Sequence, residues 1–142
     1  MFSRVRKWFK EIKDLKYFAY HDELTGLYNR RYINTLDIKL YNHVYFIDIN
    51  DLREWNKYGH TEGDKHIISF VNTVKTDYLS TLDCFIRYSG DEFIVLSRLP
   101  KSFTTNALFS VGSSKIIGDF RKCIEAADKE MIINKSNYKQ KY

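Results

Sequence analysis

The sequence predicts an α+β fold with helices packed on one side of a mainly antiparallel sheet. Short runs rich in aromatic and β-branched residues at 43–49, 84–89 and 92–97 are typical of strands, and segments with helical spacing separate or flank them. The chain has 142 residues, of which 44% are hydrophobic, with one Pro and six Gly. That is enough for one core and too little for two ordinary domains, so we expect a single folded unit with an appendage.

The first 20 residues predict a basic amphipathic helix. Its apolar side chains recur at helical spacing and are Phe2, Val5, Trp8, Phe9, Ile12 and Leu15. Its basic side chains, set against Glu11 and Asp14, are Arg4, Arg6, Lys7, Lys10, Lys13 and Lys16. Three interpretations stay open: packing on its own domain or on the same helix of a second copy, binding to a membrane surface, and contact with nucleic acid. For a second copy, the roughly heptad spacing of Phe2, Val5, Phe9 and Ile12 makes the helix a plausible strut.

The next elements alternate between helix and strand. Asn29 is placed to cap a helix carrying Ile33, Leu36 and Leu40, after a turn at Gly26. The segment "HVYFIDI" (43–49) is apolar enough for a central strand. A helix follows, marked by Ile67, Val71, Val74 and Tyr78.

The second half of the chain predicts a β-hairpin, a further strand and a closing helix. "CFIRYS" (84–89) and "EFIVLS" (92–97) lie on either side of a tight turn, which is the spacing of a hairpin. "ALFSVGSS" (107–114) predicts one more strand. The last amphipathic helix is marked by Ile116, Phe120, Cys123, Ile124, Ala127 and Met131.

Composition excludes several classes of protein. The net charge of +5 favours anionic partners. No segment reaches the roughly 18 apolar residues of a membrane span, and the N-terminus lacks the apolar block of a signal peptide. Cys84 and Cys123 lie in apolar periodic segments without metal-ligand spacing, so we expect buried thiols in a reducing, cytoplasmic compartment.

Three acids are placed where their carboxylates are expected to converge. Asp48 lies near the end of the central strand, and Asp91 and Glu92 occupy the hairpin turn. If these strands are neighbours, the carboxylates meet at one end of the sheet, where cations must neutralise them. Hard oxygen ligands shared with a phosphate suit Mg²⁺, and two such ions about 3.5–4 Å apart support nucleotidyl transfer. The alternative is that the acids are solvated turn residues.

Four segments resemble the signatures of GGDEF-type nucleotidyl cyclases, the diguanylate cyclase superfamily. They are "DELTGLYNRR" (22–31), "DINDLREWNKYGHTEGD" (48–64), "SGDEF" (89–93) and "ADKEMIINKSNYK" (127–139). The resemblance implies a polymerase-palm, ferredoxin-like antiparallel sheet, with a GGDEF-like hairpin at 89–93. It divides the chain into an N-terminal helix at 1–18 and a nucleotidyl cyclase domain at 19–142.

The resemblance also implies the site. Asp48, Asp91 and Glu92 would be catalytic, and with Ile49 would hold two Mg²⁺ or Mn²⁺ ions, Glu92 joining them or positioning the attacking 3'-hydroxyl. Backbone amides of Ile49, Asn50, Asp51 and Leu52 would bind the terminal phosphates, together with the side chains of Arg53, Lys135 and Lys139. Asn56 and Asp64 would read the base, and Ser89 and Gly90 would form the turn beneath the nucleotide. Without the resemblance, these are ordinary turn, capping and helix-end residues.

Four departures from the family pattern qualify this expectation. Ser89 replaces the first glycine of the signature, and the loop from Asn56 to Gly59 is one residue shorter than usual. Ser80 stands where many relatives have the Arg of an inhibitory product site, although Asp83 is present. Only about ten residues precede the last strand where the family has a crossover helix, and parallel strands usually need about a dozen or more, so a simplified or rearranged sheet is expected.

The trimmed form looks more like the minimal CRISPR polymerases than like sensory diguanylate cyclases. That resemblance implies that a homodimer joins two NTPs, ATP favoured over GTP, into a cyclic dinucleotide that an effector reads in anti-phage signalling. Other interpretations are a cyclase making c-di-GMP from GTP, a silent nucleotide-binding domain and a membrane-peripheral adaptor. No specific nucleic-acid partner is expected.

Overall fold

A computed structural model describes all 142 residues and contains a five-stranded mixed sheet with the strand order β1-β3-β4-β2-β5. The strands are β1 (Tyr28–Asn29), β2 (His43–Ile49), β3 (Cys84–Arg87), β4 (Glu92–Ser97) and β5 (Phe109–Lys115). The helices are α1 (Phe2–Tyr20), α2 (Leu52–Asn56), α3 (His60–Tyr78) and α4 (Phe120–Lys141). The predicted α+β class, the central strand, the hairpin and the last strand are all present.

The sheet is covered on both faces, so the expectation of helices on one side is wrong. Residues of β2 and β4 are apolar along almost their whole length, which leaves neither face suited to water. On one face, α3 buries Ile67, Phe70 and Val74 against the sheet. On the other, α4 buries Ile124 and Met131. The sheet is therefore the middle layer of three.

α4 packs unusually close to β5 at Gly112. A Cβ atom added at Gly112 would overlap the carbonyl oxygen of Ala127 and the amide nitrogen of Met131, both in the backbone of α4. The missing side chain therefore lets the helix rest directly on the strand. This close approach places the C-terminal half of α4 beside the end of β2.

The connection from β4 to β5 contains no helix, as the shortened sequence predicted. Both strands run antiparallel to β2, and so parallel to each other, with β2 between them. The loop 98–108 makes this crossover alone. Phe103 holds it to the α3 face, with its ring centroid 5.0 Å from that of Tyr45 and 4.5 Å from that of Tyr78.

One predicted helix is replaced by two short 3₁₀ turns. Asn29 caps the first, Arg30–Thr35, by accepting hydrogen bonds from two backbone N–H groups, so the predicted cap is correct. The helix does not continue to Leu40, because Asp37 caps a second turn, Ile38–Leu40. Polar side chains that bond to nearby backbone compete with an α-helix here. Strand β1 and helix α2 were not anticipated, whereas both cysteines are buried and free as predicted.

α1 projects from the domain, and none of its residues is buried. Its C-terminal end is fixed by the Asn29 side chain, whose nitrogen donates to the Ala19 carbonyl at 2.9 Å. The interpretation that α1 packs along its own domain is therefore wrong. No helix of the chain has the length and apolar character that a bilayer crossing requires.

Candidate active site

The acids at the ends of β2 and β4 meet as the sequence predicted. Asp48 is directly opposite Glu92 in the antiparallel register of the two strands. The main chain of Asp91 continues this pairing, since its carbonyl accepts a hydrogen bond from the Ile49 N–H at 2.9 Å. The hairpin turn thus brings the acidic pair to the end of the central strand.

Asp48 is the most perturbed acid of this cluster. Its residue is 7% exposed, and burial raises the pKa of its carboxyl to about 6, with the nearby Asp91 carboxylate adding to the rise. The Lys135 ammonium opposes the rise and donates a hydrogen bond to Asp48 Oδ2 at 2.5 Å. The other oxygen, Oδ1, is buried without any hydrogen-bond partner.

This donor set fits a magnesium ion that is completed by its substrate. No group of three His, Cys, Asp or Glu side chains is arranged to hold a metal ion by itself. Mg²⁺ in nucleotide enzymes is commonly held by one or two carboxylates, and phosphates and waters fill its remaining positions. Asp48, with its unpartnered buried oxygen, and Asp91 beside it provide that minimal set.

A cavity of about 360 Å³ opens beside Asp48 and carries two of the predicted phosphate ligands. Lys135 and Lys139, one turn apart on α4, line one wall, and Asn50 and Asp51 line another. Asp51 adopts the left-handed conformation, with φ of 60°, and this turns the chain sharply from β2 into α2. The cavity is therefore cationic on one side and formed by a tight turn on the other.

The turn is braced by Asn50. Its side chain donates to the Asn106 carbonyl at 2.8 Å and accepts from the Ser110 hydroxyl at 2.8 Å, while its N–H bonds to the Leu108 carbonyl. The amides of Ile49 and Asn50 are thus engaged within the protein. Amides of Asp51, Leu52 and Arg53 have no acceptor in the chain, so the available donors begin one residue into the turn.

The predicted base-reading residues lie together on the pair formed by α2 and α3. The Asn56 carboxamide rests against Gly63, leaving no space for a side chain there, and Asp64 is the next residue. Both Asn56 and Asp64 are exposed. Beside them, Trp55 stacks on His66 with centroids 4.7 Å apart and borders an open cleft of about 520 Å³. Trp55 was not anticipated as a site residue.

Residues 19–137 match the family described as diguanylate cyclase, GGDEF domain. The chain belongs to the GGDEF domain family, a family of nucleotidyl cyclases. It is 34% identical over 110 residues to an uncharacterized protein of Mycobacterium tuberculosis, covering 72% of this chain and 18% of that protein. It is 31% identical over 102 residues to diguanylate cyclase DosC of Escherichia coli, covering 65% of this chain and 22% of DosC. This GGDEF domain therefore spans about a fifth of these relatives.

Solved structures share the fold. The coiled coil and GGDEF domain of DgcB from Caulobacter crescentus, in complex with c-di-GMP, has a TM-score of 0.77 at 17% identity, covering 95% of this chain and 90% of that one. Diguanylate cyclase SiaD of Pseudomonas aeruginosa, in complex with its activator SiaC, has a TM-score of 0.70 at 18% identity, covering 95% and 65%. At these identities the likeness concerns the architecture alone.

The signature turn of this GGDEF domain is held by contacts that the sequence did not reveal. Ser89, in place of a glycine, donates its hydroxyl hydrogen to a Glu92 carboxylate oxygen at 2.7 Å. Arg87 donates to the Gly90 carbonyl at 2.8 Å and forms an ion pair with Asp22 at 3.1 Å. Asp22 and Arg87 are 65 residues apart, so only the fold brings them together.

The remaining residues singled out from the sequence lie outside this cluster. Arg53 is exposed and does not line the cavity of Lys135 and Lys139. The Asp83 carboxylate already accepts from the Ser80 N–H at 2.8 Å and from the Lys101 ammonium at 2.5 Å. An inhibitory product site at Ser80 and Asp83 would therefore lack its Arg and compete with this ion pair.

Proposed function

We propose that this GGDEF domain is a metal-dependent nucleotidyl cyclase that condenses two purine nucleoside triphosphates into a cyclic dinucleotide. The carrying observation is the buried Asp48 carboxylate, which lies beside Asp91, leaves one oxygen unpartnered and accepts a hydrogen bond from Lys135. Lys135 and Lys139 line the neighbouring cavity. Family membership supports the reaction class. Two divalent ions, Mg²⁺ or Mn²⁺, would activate the attacking hydroxyl and stabilise the leaving pyrophosphate.

Each residue has a proposed role in this reaction. A 3'-hydroxyl attacks the α-phosphorus of the other nucleotide, a new P–O bond forms, and the bond to the β-phosphate breaks to release pyrophosphate. Asp48, Asp91 and the Ile49 carbonyl would hold the ions, and Glu92 would orient the hydroxyl. Lys135, Lys139 and the turn amides from Asp51 onward bind the triphosphate, a pairing of cations and N–H donors with phosphate oxygens. A second condensation in the opposite direction closes the ring.

The identity of the base is the finer part of the proposal. Asn56 has both a donor and an acceptor and can pair with adenine or guanine. ATP is favoured by the helix-free connection 98–108, the feature that resembles the minimal CRISPR polymerases. GTP is the second candidate. Asp64 favours it, because an ionised carboxylate can accept hydrogen bonds from the guanine N1–H and N2 amine. The similarity to DosC, a diguanylate cyclase, also favours GTP.

We further propose that residues 19–142 form the cyclase unit and that residues 1–18 are an appendage to it. Two copies of the unit must face each other, because one site holds one nucleotide and the product contains two. A cyclic dinucleotide is useful to a cell when an effector binds it, and an anti-phage role is proposed on the CRISPR polymerase resemblance alone.

A catalytically silent nucleotide-binding domain is the competing proposal. It is favoured by Ser89, whose hydroxyl engages Glu92 at 2.7 Å and so occupies part of that carboxylate. Against it, both α4 lysines line the cavity, Lys135 bonds to Asp48, and Asp91 lies beside Asp48.

The deciding experiment is incubation of the purified chain with Mg²⁺ or Mn²⁺ and each NTP, alone and in pairs. Products are read by mass spectrometry, and their linkage by a nuclease specific for 3'-5' bonds. A cyclic dinucleotide that is absent with Asp91→Asn supports the proposal, and the preferred NTP identifies the base. Nucleotide binding without any condensed product, in every combination, would establish the silent domain instead.

A further inference from the structure

α1 presents a broad apolar face that nothing in the domain covers. At about 100° per residue, the side chains of Val5, Trp8, Phe9, Ile12 and Leu15 fall within an arc of about 120°. Trp8 is 56% exposed, Phe9 60% and Leu15 68%. Three adjacent large apolar side chains in water are unfavourable for a free helix, so this face requires an occupant.

The positive charge of the chain is concentrated on the same helix. Residues 2–20 contain six Lys and Arg but two Asp and Glu, which places four of the five net charges of the chain on α1. On the helical wheel, Lys13 and Arg6 lie within about 60° of one edge of the apolar arc, and Arg4 lies near the other edge beside Glu11, while Lys10 lies on the opposite face. Basic side chains thus flank one edge of the apolar face, and Arg4 adds a cation at the other edge.

A second copy of α1 matches this surface poorly. The a and d positions of a heptad would be Phe2, Val5, Phe9 and Ile12 followed by Lys16 and Ala19, which places Lys16 in the seam against its own copy. Trp8 would lie beside the seam, facing Lys13 of the other copy without a charge partner.

A nucleic acid matches the basic charge of α1 but not its apolar face. It would bind the Lys and Arg side chains and leave Trp8, Phe9 and Leu15 in water.

An anionic bilayer surface matches both the basic charge and the apolar face of α1. Aromatic and aliphatic side chains enter the boundary between headgroups and acyl chains, and the flanking Lys and Arg contact lipid phosphates. Lys16, inside the arc, can extend its alkyl chain along the apolar face and place its ammonium among the headgroups.

We propose that α1 docks the protein on the surface of an anionic lipid bilayer, lying in the interface with Trp8 and Phe9 inserted. This inference does not depend on the proposed cyclase reaction, since it rests on α1 alone. The C-terminal end of α1 is fixed to the domain by the hydrogen bond from Asn29 and by the stacking of Tyr17 on His21, whose ring centroids are 4.0 Å apart. Docking of α1 therefore also orients the domain on the membrane.

The test is co-sedimentation of the full chain with two kinds of vesicle, phosphatidylcholine alone and phosphatidylcholine containing phosphatidylglycerol. We expect binding to the anionic vesicles that weakens as salt is added. Arg6→Gln with Lys13→Gln should weaken it by roughly thirtyfold, at about 1 kcal/mol for each charge. Trp8→Gln with Phe9→Gln should abolish it. The matched control, Lys75→Gln with Lys129→Gln, changes the net charge equally on exposed sites elsewhere and should bind like the wild type.

Several outcomes would overturn the proposal. Equal weakening by the Lys75 and Lys129 control would mean that binding follows overall charge and not α1. Wild-type protein that ignores anionic vesicles, but changes from dimer to monomer on Trp8→Gln with Phe9→Gln, would identify a second copy as the occupant. Wild-type protein that ignores vesicles and binds duplex DNA, with or without Trp8 and Phe9, would identify a nucleic acid. None of these substitutions touches a buried residue, so loss of folding does not confuse the result.

Discussion

Asp48 is a buried carboxylate held beside a like charge, Asp91, and its protein counter-ion is Lys135. Such an arrangement is unfavourable in the isolated protein, because desolvation and the neighbouring acid both disfavour the ionised form. It becomes favourable when divalent cations enter. The same lysine also faces the proposed phosphate cavity, so its bond to Asp48 and its contact with a triphosphate are alternatives.

The first prediction concerns these two acids. Asp48→Asn or Asp91→Asn should reduce cyclic dinucleotide formation to less than about a tenth of the wild-type rate, a loss of more than about 1.4 kcal/mol. In chelator, the melting temperature of either variant should equal or exceed that of the wild type, since like-charge crowding is relieved. Mg²⁺ with a non-hydrolysable triphosphate should raise the melting temperature of the wild type and not of the variants. Asp77→Asn, on the exposed face of α3, is the control, and a variant that keeps more than a tenth of the turnover contradicts the two-metal interpretation.

The second prediction concerns Asp22, which holds Arg87 and through it the signature turn. Burial raises the pKa of Asp22, but hydrogen bonds from Thr25 and the Arg87 charge outweigh it and leave the pKa below its ordinary value of 3.8. A lowered pKa stabilises the fold above the unfolded pKa, and this stability is lost as pH falls through the folded value. Asp22→Asn should therefore cost about 1–2 kcal/mol at pH 7, with the cost shrinking below about pH 4.

Urea unfolding at a series of pH values measures this difference. Asp77→Asn again serves as the control, because it removes the same charge from an exposed position of α3. A cost for Asp22→Asn that stays constant into strong acid would mean that the carboxylate charge contributes nothing to the turn.

At the scale of elements, the position of α4 decides whether the site exists. The helix supplies Lys135 and Lys139, and its distance from the sheet is set by the absence of a side chain at Gly112. Backbone atoms of α4 oppose that position, so an added methyl group cannot be accommodated by a side-chain rotation. The helix itself must move.

We therefore predict that Gly112→Ala lowers stability by about 1–3 kcal/mol, the usual cost of overpacking. It should also weaken triphosphate binding, because α4 carries both lysines away from Asp48. Urea unfolding and titration calorimetry measure the two effects. Ser113→Ala, the neighbouring exposed position of β5, is the control and should leave both unchanged. Full stability and full affinity in Gly112→Ala would show that α4 has freedom that the packing does not indicate.

The elements differ in how far the sequence predicts them. β2, β4 and β5 follow from runs of aromatic and β-branched residues, and Asn29 follows from its capping chemistry. The two 3₁₀ turns were mistaken for a helix because Ile33 and Leu36 keep an apolar spacing while Asp37 stops the backbone pattern. Apolar runs show that strands are buried but not that each face has its own helix.

The site shows the same division. Asp48 and Glu92 could be predicted to meet only if β2 and β4 are neighbours, because each acid lies at the end of an apolar strand. The short hairpin sets the register of β3 with β4 and not that of β2 with β4. The Asp22–Arg87 pair could not, because it joins segments 65 residues apart whose approach depends on the whole topology. The contact of Asn56 with Gly63 is local, but it depends on how α2 turns into α3, which no sequence pattern specifies. The engagement of the Asn50 amide by Leu108 depends on the loop 98–108, whose path no local pattern specifies.

At the scale of the whole molecule, the proposed product requires two copies. Each site is proposed to hold one nucleotide, and two 3'-hydroxyls must attack two α-phosphates, so the sites have to face each other across a two-fold axis. The cavity of about 820 Å³ on the outer side of β5 includes none of the predicted site residues, so it does not repeat the proposed nucleotide site. Encounter between copies then limits the rate at low concentration.

The last prediction joins this encounter to the proposed docking of α1. In buffer, specific activity should rise with enzyme concentration and reach a plateau, because the productive dimer forms by mass action. Anionic vesicles should move that rise to lower enzyme concentration, since molecules confined to a surface meet more often. The double variant Trp8→Gln with Phe9→Gln should remove this effect of vesicles. It should leave the dependence of activity on enzyme concentration in buffer unchanged. If the same variant instead shifts the curve in buffer to higher concentration, α1 is a strut between copies. Specific activity that is constant down to nanomolar enzyme, from a species that sizes as a monomer with substrate bound, would rule out the two-copy mechanism and favour a polymerase with a linear product.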